Sequence, residues 1–139
     1  MSITGGCLCG NIRYEIDASQ ESALESALVC HCKSCQRQGG SAFSTLGTVS
    51  TADFSISGSE PKLYLDRETE TGNPVKRYFC GDCGSPMYSV VDAQPGKIFL
   101  KTGTLDDTSG FVPLLHIWCA SKQNWLALEE GIPQLEKQG

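Results

Sequence analysis

The chain has 139 residues, 40% of them hydrophobic and 8% aromatic, and a formal charge of −5. That length fits one domain, large enough to bury roughly 68% of its unfolded surface. Acidic and basic residues are mixed, no Lys/Arg run exists to follow a phosphate backbone, and no apolar run could span a bilayer, so neither nucleic acid nor membrane is expected as a partner.

The start, Met1-Ser2-Ile3-Thr4-Gly5-Gly6, lacks the basic and apolar regions of a signal peptide, which predicts a cytoplasmic protein. Fifteen glycines and six prolines imply many turns and favour β structure. Gly10 to Ile16 alternates apolar and polar residues, placing Ile12, Tyr14 and Ile16 on one face of a half-buried strand. Ala23, Leu24, Ala27 and Leu28 recur at near-helical spacing that a loop or strand would also allow. Leu28-Val29 leads into a cysteine cluster, and Ser34 to Gly39 fits a short helical turn. Ala42 to Val49, Phe54 to Ile56 and Leu63 to Leu65 read as strands, with turn signals at Gly58 and Pro61 and at Gly72-Asn73-Pro74. Val75 to Phe79 is a further strand. Met87 to Val91 and Lys97 to Lys101 form a predicted hairpin through Gln94-Pro95-Gly96. Leu114 to Cys119 is the last strand, and Pro133 with Gln134 to Gly139 makes a polar tail expected to fray. The pattern predicts a mainly β single domain over residues 1–139, with its core at about 3–128.

Seven of the eight cysteines fall in three groups: Cys7 and Cys9, then Cys30, Cys32 and Cys35, then Cys80 and Cys83. In a reducing compartment such clusters bind metal more often than they form disulfides. Cys80-x-x-Cys83-Gly84 is a strong chelating pattern, because two thiolates three apart reach one ion from a tight turn. Cys7-x-Cys9 is weaker alone and is also compatible with two buried small residues. Together the outer pairs supply the four thiolates of a closed, structural zinc site. Cys30, Cys32 and Cys35 then form a second site one ligand short, which is the pattern of catalytic zinc, with two Zn2+ per chain in all. His31 could close that site as a fourth ligand, but on an extended backbone it points away from Cys30 and Cys32. A shared site between Cys7, Cys9 and the central thiols is a further pairing that spacing allows.

Seven thiolates outweigh two divalent ions by three negative charges, so an anionic substrate needs local cations. Lys33 and Arg37 flank the cluster and could supply them.

The ordered motifs Gly6-Cys7-Leu8-Cys9-Gly10, Cys30-His31-Cys32-x-x-Cys35-Gln36-Arg37, Gly40-Ser41-Ala42-Phe43, Arg77-x-Phe79-Cys80-x-x-Cys83-Gly84-Ser85-Pro86, Gly103-Thr104-Leu105-Asp106-Asp107 and His116-Ile117-Trp118 with Ser121-Lys122 and Trp125 resemble the glutathione-dependent formaldehyde-activating enzyme family, also called centromere-protein-V-like. The resemblance runs from about Ile3 to about Trp125. It implies a mainly β fold of small twisted antiparallel sheets, the β-tent, stabilised by zinc. It implies a structural zinc on Cys7, Cys9, Cys80 and Cys83 and a catalytic zinc on Cys30, Cys32 and Cys35. The implied activity is a carbon–sulfur lyase reaction that joins glutathione and formaldehyde as S-hydroxymethylglutathione. Cys119 lies outside the family pattern and reads as an incidental thiol.

The resulting expectation is an enzyme that adds a small thiol to a small aldehyde, or catalyses the reverse. Cys30, Cys32 and Cys35 carry the chemistry. Lys33, Arg37, Gly40 and Ser41 bind substrate, and backbone amides around Gly39-Gly40-Ser41 form an oxyanion hole. Two other readings stand beside it: a zinc-stabilised module that binds a protein partner without catalysis, and a sensor that releases zinc when its thiols are oxidised.

Overall fold

A computed structural model describes residues 2–17, 27–69 and 71–138. The near-helical stretch around Ala23 and Leu24 lies outside the described residues. The fold is mainly β. Strands β1 (Ser2–Gly6), β2 (Ile12–Asp17) and β5 (Phe54–Gly58) form a three-stranded antiparallel sheet in the order β1-β2-β5. The larger sheet uses β3 (Leu28–Cys30), β4 (Ser44–Ser50), β6 (Lys62–Asp66), β7 (Val75–Phe79), β8 (Pro86–Val91), β9 (Lys97–Lys101) and β10 (Leu115–Ile117). Its order is β10-β3-β4-β9-β8-β7-β6, antiparallel except for the β3–β10 pair. One helix, α1 (Lys33–Gly39), follows β3 directly.

The alternation along β2 does what it predicts. Ile12, Tyr14 and Ile16 are buried and the residues between them are exposed. They pack with Val49, Met87 and Leu100 of the large sheet and with Leu105, so the main core lies between the sheets. Ile12, Ile16, Met87 and Leu100 are fully buried, and each contributes about 1.5–3 kcal/mol of hydrophobic stabilisation. Strand β1 has no alternation to announce it. It forms because Gly5 lets Tyr14 approach: a Cβ there would sit 2.3 Å from the Tyr14 hydroxyl oxygen and 2.5 Å from the Thr104 carbonyl. Arg13 on β2 and Thr4 on β1 both donate to Asp106, which links this sheet to the loop after β9.

The last strand is shorter than the sequence suggests. Trp118 adopts φ 57°, a left-handed conformation that ends β10, and a 3-10 turn over Cys119–Ser121 follows. A bulky residue there stores of order 1–3 kcal/mol of strain. Trp118 packs against the central cysteines, which help hold it in place.

The polar tail is also not frayed. The Pro133 carbonyl accepts from the His116 amide at 2.9 Å, and the Leu135 amide donates back to His116 at 2.8 Å. The amides of Trp118, Cys119 and Ala120 bond the carbonyls of Lys137, Leu135 and Glu136. Strand β10 is the last strand of its sheet and the tail satisfies its outer backbone groups, which a composition-based reading cannot foresee. Truncation after Ile132 removes these bonds. At roughly 0.5–1 kcal/mol each, it should lower the melting temperature by about 5 °C or more in a thermal unfolding scan.

Candidate metal centres

Two turns build the outer group. Between β1 and β2, the Gly10 amide bonds the Cys7 carbonyl at 3.1 Å, and the Ile12 amide points at Cys7 Sγ at 3.3 Å. Between β7 and β8, the Gly84 amide bonds the Cys80 carbonyl at 2.8 Å, and the Asp82 amide points at Cys80 Sγ at 3.4 Å. Gly84 takes φ +81°, which closes this turn and which a side chain would resist. The turns meet through Leu8 N–H to Ser85 Oγ at 3.0 Å and Asn11 Nδ2 to Asp82 Oδ2 at 3.0 Å.

The four sulfurs of Cys7, Cys9, Cys80 and Cys83 all lie within 4.8 Å of one another. Cys7 and Cys9 are 3.6 Å apart and Cys9 and Cys80 3.8 Å. Sulfurs placed tetrahedrally at about 2.3 Å from one ion would be about 3.8 Å apart, so the set fits a four-thiolate metal site. All eight cysteines are free thiols, with no disulfide among the described residues. The electrostatics match that fit. The Ser85 hydroxyl and amide hold Cys83 down at about 5, whereas Cys9 is pushed up to about 12. At Cys9 the Asn11 amide bond works downward, and desolvation and the neighbouring thiols outweigh it. Four such groups ionise together only around a cation.

The central group is built at the β3–α1 junction. Cys30 ends β3, Cys32 is the N-cap of α1 and Cys35 lies in its first turn. The Cys32 sulfur accepts the Cys35 amide at 3.3 Å, so a ligand-type atom also caps the helix. All three cysteines are buried, and their sulfurs converge within 4.8 Å. Hydrogen bonds with Cys30 and Cys32 pull Cys35 far down, while bonds with Cys32 and Cys35, then burial, push Cys30 far up. The set fits a thiophilic ion with three protein donors, and no described His, Asp or Glu joins it.

His31 faces the other way. It is fully buried, and its Nε2 lies 3.0 Å from Nδ1 of His116, whose Nε2 meets Glu129 at 3.0 Å. Burial, then His116, lowers its pKa. The pairing of Cys7 and Cys9 with the central thiols also fails, because each group closes on itself.

Beside the central group lies a cleft of about 630 Å3. Lys33, Gln36 and Arg37 line it from α1, Gly40 to Phe43 from the next loop, and Gln123 and Trp125 from the C-terminal segment. It thus gathers all four residues expected to contact substrate. The oxyanion hole, however, is overturned at Gly40 and Ser41. Their amides both bond the Gln36 carbonyl, because they terminate α1. Gln36 is itself tied down, donating to the carbonyls of His31 and Ser121 at 2.8 and 2.9 Å. Sequence reasoning also misses two buried cations near the thiols, Arg77 and Lys101. Arg77 pairs with Asp66 at 2.9 Å and bonds Gln38 at 3.1 Å. Nothing local marks them, since Arg77 follows Lys76 in β7 and Lys101 shares β9 with Lys97.

A family model described as glutathione-dependent formaldehyde-activating enzyme matches residues 2–121. The chain belongs to that family. Curated relatives carry the family's name by inference. One from Emericella nidulans is 28% identical over 63% of this chain and 42% of its own length. One from Penicillium rubens is 30% identical over 66% and 47%. One from Halomonas elongata is 21% identical over 93% and 82%. The match therefore covers less than half the length of these two fungal relatives. A crystal structure of a Rhodobacter sphaeroides protein shares the fold, with a TM-score of 0.60, 22% identity, and coverage of 79% of this chain and 97% of that one.

The two groups should separate on mutation. Cys80→Ser should remove one bound ion and destabilise the fold, because that site joins both sheets. Cys32→Ser should remove the other and leave the far-ultraviolet circular dichroism intact. Elemental analysis and thermal melts check both; unfolding of Cys32→Ser would contradict the division.

Proposed function

We propose that this chain is a zinc enzyme that adds a small thiol, glutathione being the family's, to formaldehyde or another small aldehyde, and catalyses the reverse carbon–sulfur cleavage. The observation that carries this reading is three converging buried sulfurs, one donor short of a tetrahedral set, next to a cationic cleft. Cys30, Cys32 and Cys35 hold the catalytic ion. Cys7, Cys9, Cys80 and Cys83 hold a structural one, whose binding can supply on the order of 10–16 kcal/mol to folding. When bound by three thiolates, zinc supplies Lewis acidity and one further coordination position.

The protein's own groups position the reactants. Lys33 and Arg37, one turn apart on α1 and exposed, draw the thiol's carboxylates into the cleft. Phe43 and Trp125 give it apolar walls. In the forward reaction a carbon–sulfur bond forms, the carbonyl π pair moves to oxygen, and the thiol's proton ends on that oxygen. Ser41, exposed on the cleft wall, has a hydroxyl suited to bond the developing alkoxide in place of the engaged backbone amides. Reduced thiols need a reducing compartment, which supports a cytoplasmic reading. No described helix is long and apolar enough to cross a membrane.

A second reading, a non-catalytic zinc-stabilised interaction module, has one observation in its favour. Leu63 and Tyr64 are 50% and 60% exposed on β6, the outermost strand of the large sheet.

Calorimetric titration of glutathione into the zinc-loaded protein separates the two. Binding is expected, and the double variant Lys33→Ala/Arg37→Ala should weaken it about tenfold, from roughly 0.5–1 kcal/mol per exposed charge. No heat of binding at millimolar thiol would leave the module as the better account.

A further inference from the structure

Lys101 ends β9 and is 8% exposed, and a lysine that deeply buried is normally paired with an anion. No ion pair joins it to a carboxylate among the described residues. Its ammonium donates instead to the neutral Ser44 hydroxyl at 2.7 Å. The strand register explains what lies beyond. Ser44 is paired with Cys30 across β3 and β4, and Lys101 is paired with Leu46, two residues further along β4 on the face shared with Ser44. Leu46 packs with Cys30, Cys32 and Cys35. Burial lowers the pKa of the Lys101 ammonium and Arg77 adds to that, while the three sulfurs, Cys35 first, act in the opposite direction. The other buried cation nearby, Arg77, already has Asp66 as its partner.

We propose that Lys101 is the buried counter-cation of the three-sulfur centre, a positioning residue that sets how firmly the centre holds a divalent ion. The physical reason is charge. Three thiolates around a divalent ion leave one negative charge in surplus, and an anionic fourth ligand makes it two. A buried net charge is strongly disfavoured unless compensated. The Lys101 ammonium, bonded to Ser44, offsets one of these charges without taking a coordination position. This rests on the metal assignment to Cys30, Cys32 and Cys35, and not on thiol addition.

The test is competition of zinc-loaded protein against a chelator, with the four-sulfur site as internal control. In Lys101→Met the zinc that Cys32→Ser lacks should bind about 10–100-fold more weakly, the range seen when outer-shell partners are lost, while the other zinc is unchanged. Ser44→Ala keeps the charge and should change affinity less than about threefold, well below that range. Ser44→Asp places a carboxylate on the ammonium, cancels its charge towards the sulfurs, and should weaken the same zinc as Lys101→Met does. That variant decides the matter if Lys101→Met does not fold. Unchanged affinity in both charge-cancelling variants would overturn the role of Lys101, as would equal weakening of both zincs. A wild-type protein that holds both zincs and binds no glutathione would sink the thiol-addition reading alone.

Discussion

Mutual repulsion among thiolates is the constraint on which the rest of this structure depends. Seven cysteines are gathered into two clusters, each closer than separate ionised sulfurs tolerate. Left without a cation, the central three divide, with Cys35 pulled low and Cys30 pushed high. The fold nevertheless forces them together through backbone geometry: two strand turns at the outer group and a helix N-cap at the central one. Convergence imposed by the main chain rather than by the sulfurs themselves is what a preformed soft-metal site requires.

The clusters differ in what surrounds them. Cys7 and Cys80 belong to the same buried core as Ile12, Met87 and Leu100, and their two turns come from different sheets. A metal there would close the sandwich. The central sulfurs sit at the start of α1, next to a cleft whose wall is that helix and the loop behind it. Of the outer donors, Cys7 and Cys80 lie in the core, Cys83 is partly buried and Cys9 is exposed, whereas the three central donors are all buried beside the cleft.

The parts legible in the sequence were those written in spacing. Cysteine intervals identified both clusters, and the period-two pattern of Ile12, Tyr14 and Ile16 identified the inner face of β2. The β8–β9 hairpin was readable from Gln94-Pro95-Gly96. Features that depend on a partner far along the chain were not. Strand β1 exists because Gly5 admits Tyr14, and the tail is ordered because β10 offers it unpaired backbone groups. The Gly40 and Ser41 amides looked available until the helix end claimed them. Lys101 looked like an ordinary strand-end lysine, since nothing local says that β9 lies one strand from Cys30.

His31 shows how one residue can serve a site without facing it. Alternation along the extended Cys30-His31-Cys32 segment turns its ring away from the sulfurs, where it stacks on His116 with ring centroids 5.2 Å apart. The chain from Glu129 through His116 to His31, together with the His31 amide bonded to Ile117 at 3.0 Å, fastens that segment to β10. From the other side, Gln36 holds the His31 carbonyl. The two flanking cysteines therefore hang from a backbone gripped at ring, amide and carbonyl, and each grip fixes the direction in which their sulfurs point. The parallel pairing of β3 with β10 serves the same end: it brings His116 level with Val29, two residues before His31, so the C-terminal segment that secures β10 also supports the central thiols.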